Sequence, residues 1–255
     1  MNPFKAAGLA LNVLFLASAL TALVGYERSR GLPPPEEILP VLDSDPIQRK
    51  VNEPPFEFDY RGTRYTVTPV ARYELRGLVV THNDIAALSD IYHNEESVDF
   101  RDICVIWGDN VVDSFYQRLS FWSEPWTCYV QSKSSDDWRQ FEGSQLSNNH
   151  LLTNNEQVQR AVEQAHIGDQ ILLRGMLVNY APSDRPSFLR KSSTSRDDTG
   201  NGACEVVFVE EFAVLKPYQP RAYSLLSWGT TMLVVTGVLN LLAFGALPYL
   251  EYKFR

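Results

Sequence analysis

The sequence predicts a mainly β domain with one helix, flanked by two transmembrane α-helices. Three observations favour this fold class. Residues 6–25 and 225–247 carry no charged side chain. The chain between them contains five short runs rich in β-branched and aromatic residues, and only one stretch has apolar residues at helical spacing. We therefore divide the chain into an N-terminal helix (1–27), a proline-rich linker (28–55), a β domain (56–220), and a C-terminal helix with a short tail (221–255).

Each uncharged end is long enough, as a helix, to cross a hydrocarbon layer about 30 Å thick. The first also fits a cleaved signal peptide, because Lys5 precedes it and Ala17-Ser18-Ala19 has the small-x-small pattern of a cleavage site. The apolar run continues past that site to Gly25, which favours a retained anchor.

Basic residues beside the two spans predict the orientation of the chain. Lys5 precedes the first span, and Lys253 and Arg255 follow the second, whereas Arg28 and Arg30 lie on the opposite side. Because basic residues concentrate on the cytoplasmic side, we expect both termini in the cytoplasm and the β domain outside it.

Polar and small residues within the spans predict how the helices pack. Asn12 and Asn240 lie at similar depths, so their amides can hydrogen-bond in an antiparallel hairpin. Gly229, Gly237 and Gly245 recur every eight residues and allow close approach of another helix. That helix is either the first span or one from a neighbouring subunit.

The chain between the spans begins with a proline-rich stretch and a hairpin. The prolines of residues 28–55 disfavour regular structure and predict a semi-rigid spacer. Residues 56–70 alternate aromatic and polar side chains around Arg61-Gly62, which predicts a β-hairpin with its turn at that pair.

Five strands and one helix are predicted after the hairpin. The strands lie at 73–82, 102–108, 126–131, 169–180 and 204–215. The helix lies between the third and fourth strands, where Thr153 and Glu156 have the spacing of a capping box and Gly168 can end the helix.

This order of three strands, one helix and two strands resembles the OB-fold, a small, partly open five-stranded barrel. The resemblance covers roughly residues 73–215. An immunoglobulin-like sandwich is the alternative, although it does not normally contain that helix. The whole arrangement is similar to bacterial envelope proteins that hold a β-rich domain between two spans, which implies an inner-membrane protein with a periplasmic domain.

The overall order also resembles that of GIDE-type membrane ubiquitin ligases. Their RING domain requires more cysteines than the three present here, so the ligase activity is not carried over.

Two nearly identical hexamers, LRGLVV at 75–80 and LRGMLV at 173–178, lie in the first and fourth predicted strands. The residues that follow the two copies differ, which argues against a duplication. Glycine at a strand centre is typical of a bend or bulge, so we expect Gly77 and Gly175 to mark curvature. Arg76 and Arg174 are expected outside the core, in ion pairs with the consecutive glutamates of the last strand.

The charge balance restricts the partners. Setting aside Lys5, Glu251, Lys253 and Arg255 leaves 20 basic and 30 acidic residues between the spans. A surface this acidic disfavours nucleic acid. Apart from the lipid bilayer, we expect the partner to be another membrane or periplasmic protein, or a second copy of the chain.

All three cysteines lie in the β domain. Outside the cytoplasm, two of Cys104, Cys128 and Cys204 can form a disulfide, and the sequence leaves the pairing open. The alternative is that they are small buried apolar side chains. The chain contains no CxxC motif and no Cys/His metal spacing.

Candidate ligand-binding residues lie mainly in loops, because an OB-fold usually meets its ligand there. Arg190, Lys191 and Arg196, followed by Asp197, form a basic cluster that can bind an anion or simply be part of a turn. The glycine-rich stretch that follows does not match a calcium loop.

Aromatic and histidine residues provide further candidates. Trp122 and Trp126 flank Pro125 and could form a stacking surface or belong to the core. His150 precedes the predicted helix, where a satisfied polar turn competes with a catalytic role.

Four loop residues could serve as metal ligands, but their spacing is too loose to predict a metal site. They are His82, Asp84, Asp90 and His93. No metal and no cofactor are therefore expected.

We find no catalytic constellation in the sequence. The leading hypothesis is a non-enzymatic, membrane-anchored binding or scaffold module of an envelope complex. The alternative is a membrane-bound hydrolase that uses His150 or His82 with nearby carboxylates.

Overall fold

The computed structural model describes residues 3–84, 98–124, 126–198, 200 and 202–253. Its elements are α1 (Pro3–Ser29), β1 (Ile47–Lys50), β2 (Phe56–Tyr60), β3 (Thr63–Asp84), β4 (Arg101–Ile106), α2 (Asp109–Val112), β5 (Ser120–Glu124), β6 (Thr127–Gln131), α3 (Ser135–Gln140), β7 (Leu146–Leu152), α4 (Glu156–Glu163), β8 (Gln170–Pro182), β9 (Glu205–Lys216) and α5 (Pro220–Lys253). Two compact units result: a helical unit of Met1–Gly31 and Gln219–Arg255, and a sheet unit of Leu32–Tyr218.

The helical unit consists of α1 and α5, which are long and apolar enough to cross a membrane. Glycines let the two helices touch. A Cβ atom built on Gly25 would lie 2.3 Å from the backbone nitrogen of Leu226, and one on Gly229 would lie 2.4 Å from that of Ala22. Gly229 is thus the point at which α5 meets α1, one of the two partners expected from the sequence.

The other small and polar residues predicted to pack these helices do not make the close backbone contact that Gly229 makes. Asn240 donates from Nδ2 to the carbonyl oxygens of Leu11 (3.3 Å) and Thr236 (3.0 Å), and not to the Asn12 side chain. A Cβ atom on Gly245 would have no described atom within 4 Å. A cavity of about 710 Å³ within this unit is lined in part by Asn12, Gly237 and Asn240.

The sheet unit is built on β3, which is 22 residues long. Its first half pairs with β2 and β1 on one edge, its second half pairs with β4 on that edge, and β8 pairs along the other edge. The remaining pairs are β4–β7 and β8–β9, both antiparallel, and β7–β9, which is parallel. The pairings therefore run β3–β4–β7–β9–β8 and return to β3.

The result is a large seven-stranded mixed sheet and not a simple closed five-stranded barrel, because β1 and β2 extend it beyond the pairing cycle. The hairpin predicted at 56–70 is confirmed. Arg61 (φ 49°) and Gly62 (φ 83°) both have positive φ, as a tight two-residue turn between twisted strands requires.

The third strand of the cycle differs from the one predicted. The run at 126–131 falls mainly in β6, which pairs with β5 in a separate two-stranded sheet. The third position is taken by β7, with the sequence LSNNHLL, which we expected to be a polar turn. Its polar side chains are buried and bonded: Ser147 donates to Glu205, and Asn149 donates to the carbonyl of Ile103. Because these partners are distant in the sequence, no local pattern predicts this strand.

Helix α4 lies where the sequence predicts a helix, but its cap is a different residue. Asn155 Oδ1 accepts hydrogen bonds from the backbone N–H groups of Gln157 and Val158. Thr153 instead donates to the carbonyl of Val209, 2.9 Å away. The predicted capping box is therefore wrong, and Asn155 is the N-cap.

The main core lies between the cycle of strands and α4. Val158 and Val162 of α4 pack against a set of buried strand residues. That set includes Tyr73, Leu75, Val79, Ile103, Val105, Trp107, Leu151, Ile171, Leu173, Val207 and Val209. Packing of this core holds the strands in place, and the residues of the sites described below lie on these strands and on the loops between them.

Residues 32–55 belong to the sheet unit and do not form a free spacer. Leu42 is fully buried, and its carbonyl accepts the backbone N–H of Gly108 at 2.8 Å. The backbone N–H of Leu39 donates to Gln170 Oε1 at 2.7 Å. Short 3₁₀ turns at Pro35–Glu37 and Pro40–Asp43 use the prolines at their first positions.

The two LRG hexamers are neighbours in the sheet, with Leu75 opposite Leu173. A Cβ atom on Gly175 would lie 2.0 Å from the carbonyl oxygen of Phe208, at a register shift between β8 and β9. A Cβ atom on Gly77 would lie 3.1 Å from the carbonyl oxygen of Ile106. Close backbone approach therefore explains the two glycines.

The cysteine pairing is Cys104 with Cys128, which joins β4 to the β5–β6 hairpin. Cys204 is a free thiol and is partly exposed at the start of β9.

Candidate functional site

A polar cavity of about 440 Å³ lies at one end of the sheet unit. It is lined by Asp45, Pro46, Gln48, Trp107, Ser144, Gln145, Thr194 and Arg196. Four separate segments supply these residues: the β1 region, the end of β4, the 3₁₀ turn before β7, and the loop between β8 and β9. We call this the Arg196 cavity.

Arg196 is held in a fixed position at the cavity wall. It forms an ion pair with Glu205, and its Nη2 donates to the Tyr73 hydroxyl at 3.0 Å. Its guanidinium also lies 5.3 Å from the ring centre of Tyr73 and 5.5 Å from that of Trp107. Cation–π contacts and an ion pair together restrict the rotamers of this long side chain.

Glu205 lies behind Arg196 and is only 3% exposed. Burial raises the pKa of its carboxyl group, and the nearby Arg196 charge and the Ser147 hydroxyl, which donates to Oε2 at 2.7 Å, act in the opposite direction. A buried carboxylate with these partners orients the guanidinium.

The remaining wall groups offer both hydrogen-bond donors and acceptors. Trp107 Nε1 donates to Asp45 Oδ1 at 3.1 Å, and Gln48 Nε2 donates to the carbonyl of Thr194 at 2.8 Å. Amide, hydroxyl, carboxylate and guanidinium groups thus converge on one space. Such a lining suits a small polar ligand or a polar peptide segment.

A second polar cluster, the His150 cluster, consists of Asp102 on β4, His150 on β7, and Asp99, which lies just before β4. Asp102 and His150 are opposite each other in the β4–β7 register. His150 Nδ1 lies 2.6 Å from Asp102 Oδ1 and 3.8 Å from Asp99 Oδ2, and all three side chains are buried. Their ligand atoms lie within 4.8 Å of one another, a geometry that could hold a metal ion.

Three further residues surround this cluster. Arg190 Nη2 lies 3.2 Å from His150 Nε2, and its guanidinium lies over the Trp126 ring at 5.4 Å. The Trp126 ring centre lies 5.5 Å from that of His150. Cys204 lies beside them, with the Asn148 amide 3.6 Å from its sulfur.

Burial lowers the pKa of His150, but the charge and hydrogen bond of Asp102 outweigh it, with smaller contributions from Cys204 and Asp99, and raise the pKa to about 10. The Arg190 contact acts the other way, because a guanidinium donates only to an unprotonated Nε2. The net direction is upward, because two carboxylates lie on the Nδ1 side of the ring.

The structure separates the basic cluster predicted from the sequence. Arg196 lines the cavity, Arg190 contacts His150, and Lys191 and Asp197 are solvent-exposed. Trp122 is stacked on Tyr129 at 5.1 Å in the β5–β6 hairpin. Only Arg190, Trp126 and His150 of the predicted residues come together.

Several site residues have no signal in the sequence. Asp45, Gln48, Trp107 and Gln145 lie far apart along the chain, and only the tertiary fold brings them to one cavity. Asp99 and Asp102 could have been found only by predicting β7 as a strand, since that strand places His150 opposite Asp102.

Two residues of the loosely spaced His82, Asp84, Asp90 and His93 set, Asp90 and His93, lie outside the described residues. Within the described part of the chain, the geometry of a metal site occurs instead at Asp99, Asp102 and His150. Neither a protein-family model, nor a curated protein, nor a solved structure matches the chain.

Proposed function

We propose that the chain is a membrane-anchored binding module whose sheet unit lies outside the cytoplasm and recognises a partner at the Arg196 cavity. The observation that carries the proposal is the cavity itself. A fixed guanidinium and several hydrogen-bonding groups converge there, and they can recognise a ligand without chemical conversion.

Three features support the location. Two helices are long and apolar enough to anchor the chain in a membrane. Lys5, Lys253 and Arg255 favour cytoplasmic termini. The Cys104–Cys128 disulfide fits an oxidising compartment such as the bacterial periplasm.

The strand pairings support an OB-like fold as part of this proposal. The pairing cycle β3–β4–β7–β9–β8, with α4 between β7 and β8 along the chain, is the order expected for that fold. The loop between β8 and β9, which supplies Arg196, is one of the loops through which OB-folds bind their ligands.

The partner that we favour is an envelope protein with a polar, uncharged segment. Arg196 is already ion-paired with Glu205, and the Asp45 carboxylate accepts a hydrogen bond from Trp107, so a partner that supplies uncharged hydrogen-bonding groups fits the cavity best. The acidic surface disfavours nucleic acid as the partner.

A membrane-bound hydrolase is the second candidate, and the Asp102–His150 hydrogen bond favours it. His150 is 1% exposed, so its ring reaches no substrate unless the covering loops move. We therefore rank binding above hydrolysis.

Site-specific photo-crosslinking in intact cells tests the binding proposal. A photoreactive residue at Gln48 or Thr194 should capture one defined envelope protein, whereas the same residue at Glu163 on α4 should not. Ser144→Trp, which fills the cavity, should abolish the crosslink from Thr194, and Ser144→Ala should preserve it. Capture that is equal from all positions, or unaffected by Ser144→Trp, would contradict the proposal.

Protease accessibility tests the orientation. A protease added to spheroplasts should cut the sheet unit, and the same unit should be protected in inverted membrane vesicles. The opposite pattern would place the domain in the cytoplasm.

A further inference from the structure

The His150 cluster shares no residue with the Arg196 cavity, and its donor atoms have the arrangement of a metal centre. Asp102 and His150 face each other across the β4–β7 pair, and Asp99 lies just before β4. The spacing from His150 Nδ1 is 2.6 Å to Asp102 Oδ1 and 3.8 Å to Asp99 Oδ2. Donors bound to one tetrahedral zinc ion are separated by roughly 3.4 Å, so Asp99 is already near that spacing, and the hydrogen-bonded His150–Asp102 pair would have to open by about 0.8 Å to admit an ion.

Charge and burial point to a cation at the same place. The side chains of Asp99, Asp102 and His150 are 0%, 2% and 1% exposed. Two carboxylates this close and this buried are stabilised by a positive charge beside them. The Nδ1 proton of His150 contributes such a charge, and an ion bound at Nδ1 would displace that proton and contribute the charge instead, on the side of the imidazole where both carboxylates converge.

The chemistry of the donors selects the class of ion. One imidazole nitrogen and two carboxylate oxygens suit first-row divalent ions such as Zn²⁺ and Mn²⁺. Mg²⁺ prefers all-oxygen coordination and keeps several waters, for which a buried site is unsuited.

We propose that Asp99, Asp102 and His150 bind a divalent first-row transition metal ion, which ties β4 to β7 beneath Trp126. Because the three side chains are buried, the ion stabilises the fold and does not contact a substrate.

Arg190 makes the proposal sharply testable. When a metal ion occupies Nδ1 of a neutral imidazole, the remaining proton lies on Nε2, which then donates a hydrogen bond. Arg190 Nη2, itself a donor, lies 3.2 Å from Nε2 and would have to withdraw. Arg190 therefore opposes the metal ion through both its charge and its hydrogen bonding. In Arg190→Gln the amide oxygen can accept from Nε2, so this variant should bind the ion more tightly.

The experiment uses the full-length protein in detergent, stripped with a chelator and titrated with ZnCl₂ by calorimetry. Wild type should bind one equivalent of Zn²⁺. Asp99→Asn and Asp102→Asn should bind more than about 100-fold more weakly, a larger loss than removal of an outer-shell partner causes. Arg190→Gln should bind about tenfold more tightly, and His166→Gln, which removes a histidine outside the cluster, should bind like wild type.

Two further measurements separate loss of the site from loss of the fold. Zn²⁺ should raise the thermal midpoint of wild type and Arg190→Gln in circular dichroism, and should not raise that of folded Asp102→Asn. Co²⁺ should give visible d–d absorption bands in wild type that Asp99→Asn lacks. If wild type binds no equivalent of Zn²⁺ or Co²⁺, or if the folded aspartate variants bind like wild type, the proposal is overturned. It is also overturned if Arg190→Gln weakens binding.

Discussion

Charged residues on the outer face of β3, β8 and β9 form two groups of ion pairs, and the larger group is a set around Glu74. Arg174 contacts Glu74 (2.6 Å) and Glu211 (2.8 Å), and Arg76 also pairs with Glu74. Arg72 pairs with Glu210 at 3.0 Å. The arginines of the LRG hexamers therefore lie outside the core. Arg174 pairs with Glu211, one of the consecutive glutamates of β9, as predicted, whereas Arg76 pairs with Glu74 of its own strand and not with β9. Glu74, shared by two arginines, is the centre of the set.

Replacing Glu74 should show how much this set of ion pairs contributes to the free energy of unfolding. The Arg174 hydrogen bond lowers the pKa of Glu74 below its ordinary 4.5, with help from Arg76. A carboxylate with a lowered folded pKa stabilises the fold fully above its unfolded pKa, and this stabilisation is lost as the pH falls through the folded pKa. Glu74→Gln should therefore lower the free energy of unfolding by about 0.5–1 kcal/mol at pH 7, and the difference should shrink below about pH 4.5. Urea unfolding at several pH values measures this.

Glu57→Gln provides the control for the Glu74 experiment, because Glu57 is an exposed residue of β2. It should change the stability little at either pH. A Glu74→Gln deficit that stayed constant down to about pH 3, well below the ordinary carboxyl pKa, would show that packing, and not charge, accounts for the effect.

Gly175 should tolerate no side chain. Its Cβ position lies 2.0 Å from the carbonyl oxygen of Phe208, a backbone atom that cannot rotate away. We expect Gly175→Ala to cost about 3 kcal/mol or more in the free energy of unfolding, and Gly77→Ala to cost about 1 kcal/mol. Gly143→Ala, with no described atom within 4 Å of the Cβ position, should stay within about 0.5 kcal/mol of wild type. Equal losses for Gly175→Ala and Gly143→Ala in chemical unfolding would contradict this explanation.

At the scale of elements, α4 shows how a cap is chosen. Thr153 and Asn155 are both good capping residues, and both precede α4. The Thr153 hydroxyl is drawn to the carbonyl of Val209 in β9 and also accepts the backbone N–H of Asn155 at 3.2 Å. This leaves the Asn155 side chain to cap the helix. A contact with a distant strand thus decides a local choice.

Asn155→Ala should destabilise the fold by about 1 kcal/mol, because two backbone N–H groups of α4 lose their acceptor. Asn155→Asp should retain most of the stability, since a carboxylate caps equally well. Glu156→Gln should cost less than Asn155→Ala, because the ion pair that Glu156 forms with Arg160 is exposed. Thermal unfolding of the three variants provides the comparison. A larger loss of stability for Glu156→Gln than for Asn155→Ala would support the capping box of Thr153 and Glu156.

At the scale of the whole molecule, the boundary of the sheet unit lies at Leu32 and not at Phe56. The proline-rich stretch supplies the fully buried Leu42, and its strand β1 pairs with β3. Asp45 and Gln48 of the Arg196 cavity also come from this stretch. Residues 32–55 are thus part of both the fold and the cavity.

Truncation tests this boundary. A chain of residues 32–218 should fold on its own with the Cys104–Cys128 disulfide and a single cooperative thermal transition. A chain of residues 56–218 should be less stable by at least about 3 kcal/mol, because Leu42 alone buries a whole side chain that leaves a cavity when removed. Leu42→Ala in the longer chain should reproduce most of that loss. Equal midpoints for the two chains would show that the stretch is a spacer after all.

Local patterns predicted the parts of the molecule that depend on apolar spacing. Two uncharged runs predict the terminal helices, the Arg61-Gly62 pair predicts the hairpin turn, and mid-strand glycines predict a bend or bulge, which the register shift at Gly175 confirms for that residue. Each of these depends on residues near one another in the chain, so the physical cause is visible in the sequence.

The tertiary structure alone decided the third strand of the sheet, the cysteine pairing, and the separation of Arg190 from Arg196. It also decided that His150 faces Asp102. The middle of strand β7 is polar, and Ser147, Asn149 and His150 are buried with hydrogen-bond partners from other elements, namely Glu205, Ile103 and Asp102. Burial of polar groups by partners distant in the sequence leaves no periodic pattern, and for that reason both sites of this protein emerge only in the folded chain.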